Sequence, residues 1–164
     1  MRASVNNVRH EMIVVIDRPI EEVWAFMADV FNVPRLRGQT LAIHMTSAGP
    51  VGVGSTLQAR MTIFGFETRM DAVITEWEAP RVMAFSAKMR PGAGTVRQTL
   101  EPMGPATKVV RMVELDLRPP FRLIWPILGP MTRRRWNRST RNLKQLVEAD
   151  GTVGSVAEAQ RPGD

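Results

Sequence analysis

Strand-like segments follow one another, with no helical pattern between them, through the middle of this chain. From residue 40 to residue 118, runs of alternating or β-branched residues are separated by short Gly- and Pro-containing turns. The six predicted strands are Thr40–Ser47, Ser55–Phe64, Phe66–Trp77, Arg81–Met89, Thr95–Glu101 and Lys108–Leu117. Because parallel neighbours need a crossover of a dozen or more residues, strands joined this closely pair antiparallel. The sequence therefore predicts an antiparallel meander, with a further strand at Val8–Ile16.

Helical patterns precede and follow the meander. After the first strand, apolar residues spaced for one helical face predict a helix beginning beside Pro19, which breaks near Pro34 into a turn or a second short helix. After Pro120 a long amphipathic helix is predicted, bent or interrupted near Pro126 and Pro130. Its predicted inner face consists of Trp125, Leu128, Thr132, Trp136, Ser139, Leu143 and Leu146.

These patterns predict one α+β domain over residues 1–150 and a disordered tail over residues 151–164, which has few large apolar groups. A cytoplasmic location is the default expectation. The apolar run Met12–Ile16 is too short for a signal peptide, and the longest uncharged stretch, Gly38–Ala59, is interrupted by glycines and a proline.

The positive charge of the chain is concentrated in the last helix. The 164 residues carry 22 Lys+Arg and 16 Asp+Glu, but eight of the cations lie between Asp116 and Glu148 with no acid among them. Nucleic acid is not favoured as a partner, because Trp125 and Trp136 fall on the inner side of the helix. Two interpretations remain: a solvated helix face, or contact with an anionic membrane surface through Trp125, Arg133, Arg134, Arg135 and Arg138.

Composition narrows the chemistry that the chain can perform. Without Cys there is no disulfide, thiolate zinc site or cysteine nucleophile. The two histidines, His10 and His44, have no metal-ligand spacing, and no serine lies in a Gly-x-Ser-x-Gly motif. We therefore expect no metal, no cofactor and no set of catalytic residues.

Four segments together resemble one known group of proteins. They are "VIDRPIEEVWAFMADVFNVPRL", "GPVGVGSTLQARM", "ITEWEAPRVMAFS" and the final helix ending "TRNLKQLVEA". Over about residues 6–149 the chain resembles the START-like superfamily, in particular the SRPBCC group of polyketide cyclases and dehydrases, lipid-transport domains and coenzyme Q-binding proteins. The resemblance implies a helix-grip fold, in which a curved antiparallel sheet of about seven strands wraps a long C-terminal helix, with two short helices after the first strand. It also implies a cavity for an apolar ligand between sheet and helix.

Strand alternation predicts which side chains face this cavity, since successive residues of a strand point to opposite faces. The predicted inward residues are Leu57, Ala59, Met61, Ile63, Phe66, Thr68, Met70, Ala72, Ile74, Met83, Phe85, Ala87, Val96, Gln98, Leu100, Val109, Arg111, Val113, Leu115 and Leu117. Three of them are polar: Thr68, Gln98 and Arg111. A buried guanidinium needs a partner. Arg111 therefore either orients a ligand oxygen together with Gln98, pairs with Glu76 or Glu114, or lies on the surface.

The predicted ligand-binding residues are Arg111, Gln98, Thr68, Met61, Met70, Met83, Phe85, Trp136 and Ser139. Methionine lines adaptable pockets, although it also fills ordinary cores. The leading hypothesis is the binding or carrying of a small hydrophobic molecule such as a lipid, a polyketide or an isoprenoid-like compound. The alternatives are a cyclase- or aromatase-type enzyme that acts by positioning, with Arg111 polarising a carbonyl, and a protein–protein interaction module.

Overall fold

Strands and helices follow one another in the predicted order. A computed structural model describes residues 7–36, 38, 40–63, 65–90 and 92–159, and among these the side chains of residues 8–150. The strands are β1 (Asn7–Ile16), β2 (Thr40–Met45), β3 (Thr56–Ile63), β4 (Phe66–Glu78), β5 (Val82–Met89), β6 (Gly92–Met103) and β7 (Ala106–Leu117). The helices are α1 (Ile20–Ala28), a 3-10 turn at Val30–Asn32, α2 (Val33–Leu36) and α3 (Pro119–Ala159).

The strands form one antiparallel, curved sheet in the order β1-β7-β6-β5-β4-β3-β2. Each strand from β2 to β6 pairs with the next along the chain, as the short turns require, and β1 pairs with β7. The long helix α3 packs on the inner face of this sheet. The predicted helix-grip fold is confirmed.

The start of β6 differs from the prediction, which assigned Gly92 and Gly94 to a turn. Both glycines belong to the strand, where they lie in the same inward row as Val96. A Cβ atom at Gly92 would collide with the carbonyl oxygen of Asp116 on β7, so this position requires glycine because of close strand contact.

The long helix was predicted to be bent or interrupted near Pro126 and Pro130. It continues without interruption through Pro126 and Pro130. Both prolines are exposed, and the fixed φ of proline is compatible with a helix even though its missing N–H removes one hydrogen bond. At the other end, the backbone of residues 151–159 continues α3 within the segment predicted as a tail. Residues 160–164 lie outside the described residues.

The most tightly packed part of the core lies beneath the second half of α3. Leu143 is fully buried there against Ile16, Val23, Leu100 and Val109. Since α3 starts where β7 ends and runs back across the sheet, its first half lies over the opposite end, where β5 joins β6. The two halves of the helix therefore have different surroundings.

Ionic and hydrogen-bonded contacts fix this second half of α3 to the end of β1. Lys144 Nζ donates to the carbonyl oxygen of Val15 at 2.9 Å and contacts Asp17 Oδ2 at 3.2 Å and Glu148 Oε1 at 2.6 Å. The backbone N–H of Asp17 donates to the same Glu148 oxygen at 2.9 Å. These hydrogen bonds, from Lys144 first and then from the Asp17 backbone, hold the pKa of the Glu148 carboxyl below its ordinary value.

We expect Glu148→Gln to reduce the pH dependence of stability. Because the Glu148 pKa is lower in the folded state, its contribution is present above the unfolded-state pKa and is lost as the pH falls below about 4.5. The contact is partly exposed, so the variant should melt only about 2–4 °C below the parent at neutral pH. The two melting temperatures, followed by circular dichroism, should converge in acid. Parallel curves across the acid range would contradict this role of Glu148.

Candidate functional site

A cavity of about 510 Å³ separates the inner face of the sheet from the first half of α3. We call it the larger cavity. Its sheet side is formed by apolar residues of β3 to β7, including Met61, Met70, Phe85, Val96 and Val113. Its helix side is formed by successive inward turns of α3, namely Phe121, Trp125, Leu128, Thr132, Trp136 and Ser139. The predicted inner face of α3 from Trp125 to Ser139 thus forms the roof of this cavity, whereas Leu143 packs in the core.

The larger cavity exists because the inward-facing side chains of β5 and β6 include very small ones at this end of the sheet. Ala87 of β5 lies opposite Gly94 of β6, and the next inward position of β6 is Gly92. All three residues line the larger cavity, and none extends beyond a methyl group. At the other end of the same rows, Leu100 and Val109 fill the interior. Sequence reasoning missed the two glycines, although their alternation with Val96 and Gln98 was a signal that could have identified them.

Two indole rings stand side by side in the roof of the larger cavity. The ring centroids of Trp125 and Trp136 are 6.4 Å apart, and Trp136 also contacts the ring of His10 at 5.7 Å. The Trp125 ring folds back onto Gly129, where an added Cβ would lie 2.9 Å from Trp125 Nε1. Trp125 thus lies on the helix face that the periodicity predicts as inner, and the glycine one turn later leaves room for its indole beside the cavity.

The polar groups of the larger cavity are few, and all but Thr95 of β6 lie on α3. Ser139 Oγ is buried and has no hydrogen-bond partner among the described residues, whereas Thr132 Oγ1 donates to the Leu128 carbonyl at 2.9 Å. Arg135 and Arg138 are exposed and form a cationic rim. The described residues of the lining include no Asp, Glu, His or Lys. The interior is therefore apolar, with one unsatisfied hydroxyl inside and positive charge at its edge.

Arg111 and Gln98 face inward, as strand alternation predicts, and are 5% and 6% exposed. Arg111 Nε donates to Gln98 Oε1 at 2.8 Å. This burial excludes the surface interpretation of Arg111. Of the two carboxylates considered as partners, Glu76 pairs with Arg97 and Glu114 with Arg9.

The Arg111–Gln98 pair does not line the larger cavity. It lines a second cavity of about 90 Å³ together with Met83, and we call this the smaller cavity. Leu36, Met70 and Phe85 line both cavities, so these side chains form the partition between them. The predicted site residues are thus divided between two adjoining spaces.

The remaining predicted site residues separate in the same way. Met61, Met70, Phe85, Trp136 and Ser139 come together in the larger cavity. Thr68 is half-buried and lines neither cavity.

Phe66, predicted to face inward, is instead 78% exposed. It follows the hairpin turn at Gly65, at the tip of the two strands. At such a tip the alternation of faces no longer decides burial.

Two other kinds of site are not found in the part of the chain that the structure describes. No group of three or more His, Cys, Asp or Glu side chains comes together there in a way that could hold a metal ion. Among the described helices, none combines the length and apolarity that a membrane crossing requires.

Comparisons with known proteins give a family and a set of similar folds. The sequence profile described as polyketide cyclase / dehydrase and lipid transport matches residues 7–148. No curated protein shows significant sequence similarity to the chain.

Among solved structures, the Zhui aromatase/cyclase from Streptomyces sp. R1128 superposes with a TM-score of 0.73 at 15% identity, covering 87% of this chain and 94% of that one. The protein TTHA0849 from Thermus thermophilus gives 0.72 at 17% identity, covering 88% and 98%. A START superfamily protein from Mycobacterium smegmatis gives 0.67 at 14% identity, covering 87% and 95%. At these identities the likeness concerns the fold.

The buried Arg111–Gln98 hydrogen bond predicts strong energetic coupling between the two side chains. Gln98→Leu removes an acceptor from a buried cation and should destabilise the fold by about 1.5–3 kcal/mol. Adding Arg111→Leu should recover much of this loss, because no guanidinium then remains to be satisfied. A double-mutant cycle from urea unfolding measures the coupling.

The Arg97–Glu76 pair provides the matched control, since it joins neighbouring parts of the same sheet on its outer surface. Its side chains are 51% and 39% exposed, so its coupling should stay below about 1 kcal/mol. Equal coupling in the two cycles, or additive effects at Arg111 and Gln98, would contradict a structural role for the buried pair.

Proposed function

Because the chain belongs to the polyketide cyclase / dehydrase and lipid transport family, we propose that it binds and carries a small apolar molecule in the larger cavity. The observation that carries this proposal is the cavity itself. Its volume of about 510 Å³ lies in the range of small-molecule sites, which are typically about 300–1,000 Å³. Leaving such a volume empty would forfeit the packing contacts that normally stabilise a core, so an apolar occupant would stabilise the protein.

The lining indicates the chemistry of the ligand. The rings of Phe85, Trp125 and Trp136 offer flat apolar surfaces, and methionines can adjust to an irregular shape. Ser139 Oγ offers a hydrogen bond that the described residues do not use. These features support a ligand with an apolar ring system or chain and one oxygen-bearing group near Ser139.

The distribution of polar groups supports carriage over catalysis. The described lining brings no acid–base pair together, and Arg111, the residue considered for polarising a carbonyl, lies in the smaller cavity behind Phe85 and Met70. Reaching Arg111 from the larger cavity would require these two side chains to move. The proposed function therefore needs only binding, with no bond made or broken.

Native mass spectrometry of the protein as purified tests the proposal directly. A single small molecule should add to the mass of the chain under native conditions and should be lost on denaturation and solvent extraction. Where the cavity is emptied during purification, the neutral fluorophore phenylnaphthylamine should bind saturably instead. Failure of both measurements would overturn the proposal.

Filling the cavity should abolish this binding without unfolding the protein. Thr132→Phe places a ring into the roof of the larger cavity, and we expect phenylnaphthylamine affinity to fall about tenfold or more. Thr132→Val is the control at the same position, because it removes the hydroxyl but keeps the side-chain volume, and should retain the parent affinity. Equal affinity in both variants would place the fluorophore outside the cavity.

Removing the Ser139 hydroxyl should affect only ligands that can hydrogen-bond to it. We expect Ser139→Ala to weaken binding of prodan, a naphthalene fluorophore with a ketone, by about 2- to 10-fold, while phenylnaphthylamine binding stays unchanged. The melting temperature should not fall, because the hydroxyl has no partner to lose among the described residues.

Thr140→Val is the control for this substitution, since the Thr140 hydroxyl is buried nearby but already bonded to the Trp136 carbonyl at 3.0 Å. It should lower stability and leave prodan affinity unchanged. The reverse pattern, with Ser139→Ala destabilising and silent in binding, would contradict a ligand-facing hydroxyl.

A further inference from the structure

The side of α3 that faces away from the sheet carries an exposed apolar stripe. Leu123 and Ile127 are 79% and 78% exposed, among the highest values for large apolar side chains in the described residues. Met131, also exposed, follows at the same spacing of four residues, so the three side chains lie in one line along the helix. Scattered exposed apolar residues are ordinary, but a line of three is a continuous surface.

Cations continue this line toward the middle of the helix. Arg134, Arg138 and Arg141 are exposed, and the period of 3.6 residues places them on the same side as Leu123 and Ile127. We call the six residues Leu123, Ile127, Met131, Arg134, Arg138 and Arg141 the outer stripe. No Asp or Glu lies between Asp116 and Glu148, so acids of the same segment do not neutralise its charge.

The order of these groups matches the layers of a lipid surface. An apolar helix face can enter the boundary between headgroups and acyl chains, while arginines beside it remain at the level of the phosphates. An anionic surface adds attraction for clustered cations. A nucleic acid would favour exposed aromatic rings for stacking, but Trp125 and Trp136 are turned into the larger cavity.

The position of the outer stripe relative to the cavity adds a second argument. Arg138 belongs to the stripe and also to the rim of the larger cavity, and Phe121 lines that cavity from the first turn of α3. Exposed Phe66 follows the β3–β4 turn, where its paired residue Ile63 also lines the cavity. Exposed apolar groups therefore lie beside the edge through which a ligand would pass.

We propose that the outer stripe of α3 docks the protein on an anionic lipid bilayer surface, with Leu123 and Ile127 inserted and the arginines at the headgroups. The docking is peripheral and reversible, because one short apolar stripe inserts only to the headgroup boundary. It places the rim of the larger cavity close to the lipid. The docking proposal rests on the exposed residues of the outer stripe and does not depend on the cavity being occupied.

Vesicle co-sedimentation of the full chain tests this proposal. The protein should sediment with phosphatidylcholine vesicles that contain phosphatidylglycerol, much less with phosphatidylcholine alone, and less again at high salt. Leu123→Ser with Ile127→Ser should weaken binding about tenfold or more. The control pair, Val53→Ser with Met103→Ser, removes exposed apolar groups from the β2–β3 connection and the end of β6, both at the opposite end of the sheet. This pair should bind like the parent.

A second pair of variants tests whether the position of the charge matters. Arg134→Gln with Arg141→Gln should weaken binding to the anionic vesicles several-fold. Arg60→Gln with Arg81→Gln removes the same charge from exposed sites away from α3 and should have little effect. All four variants should keep the parent melting temperature and phenylnaphthylamine affinity, which separates loss of docking from loss of ligand binding.

Three results would overturn the proposal. Binding that is equal on neutral and anionic vesicles would exclude electrostatic docking. Equal losses in the two arginine pairs would show a dependence on net charge alone. The third result is that the parent does not bind vesicles but dimerises in sedimentation velocity, and that Leu123→Ser with Ile127→Ser abolishes the dimer. The outer stripe would then be a contact between two copies of the chain.

Discussion

The structure depends on one helix that is anchored over one end of the sheet and lies above a gap at the other end. The second half of α3 is packed into the core through Leu143 and is fixed to β1 by Lys144. Its first half lies above Ala87, Gly94 and Gly92, whose side chains are no larger than a methyl group and leave a gap. A rigid helix that is anchored at one end cannot move into this gap without breaking its anchor. The space between its first half and the sheet therefore stays open.

This arrangement separates the parts of the molecule that stabilise it from the parts that can bind. Buried Leu143 and the Lys144–Glu148 ion pair lie in the second half of α3. The apolar cavity, with its Ser139 hydroxyl and its cationic rim, lies beside the first half. Arg111 and Gln98 belong to the first kind of region, because their 2.8 Å hydrogen bond joins two buried side chains on neighbouring strands. Variation along the first half of α3 could therefore alter a ligand or a docking surface at little cost in stability.

The sequence predicted most of the fold because apolar residues alternate along most of its strands and the turns between them are short. The same alternation correctly predicted that Arg111 and Gln98 are buried, since every second residue of a strand lies on the same face of the sheet. It could not show that Phe85 and Met70 separate them from the larger cavity, because that depends on how the helices pack. Gly92 was misread because glycine is common in turns, while here it is required by close contact between strands.

The central claim is that the space between sheet and α3 is an open apolar cavity and not a collapsed core. Crystallography under xenon pressure tests this most directly, because xenon enters dry apolar cavities and is excluded from packed or hydrated ones. The account predicts xenon bound among Met61, Phe85 and Leu128, or an elongated apolar molecule already occupying that position. Side chains closed over the same volume, or a chain of ordered water molecules filling it, would contradict the account.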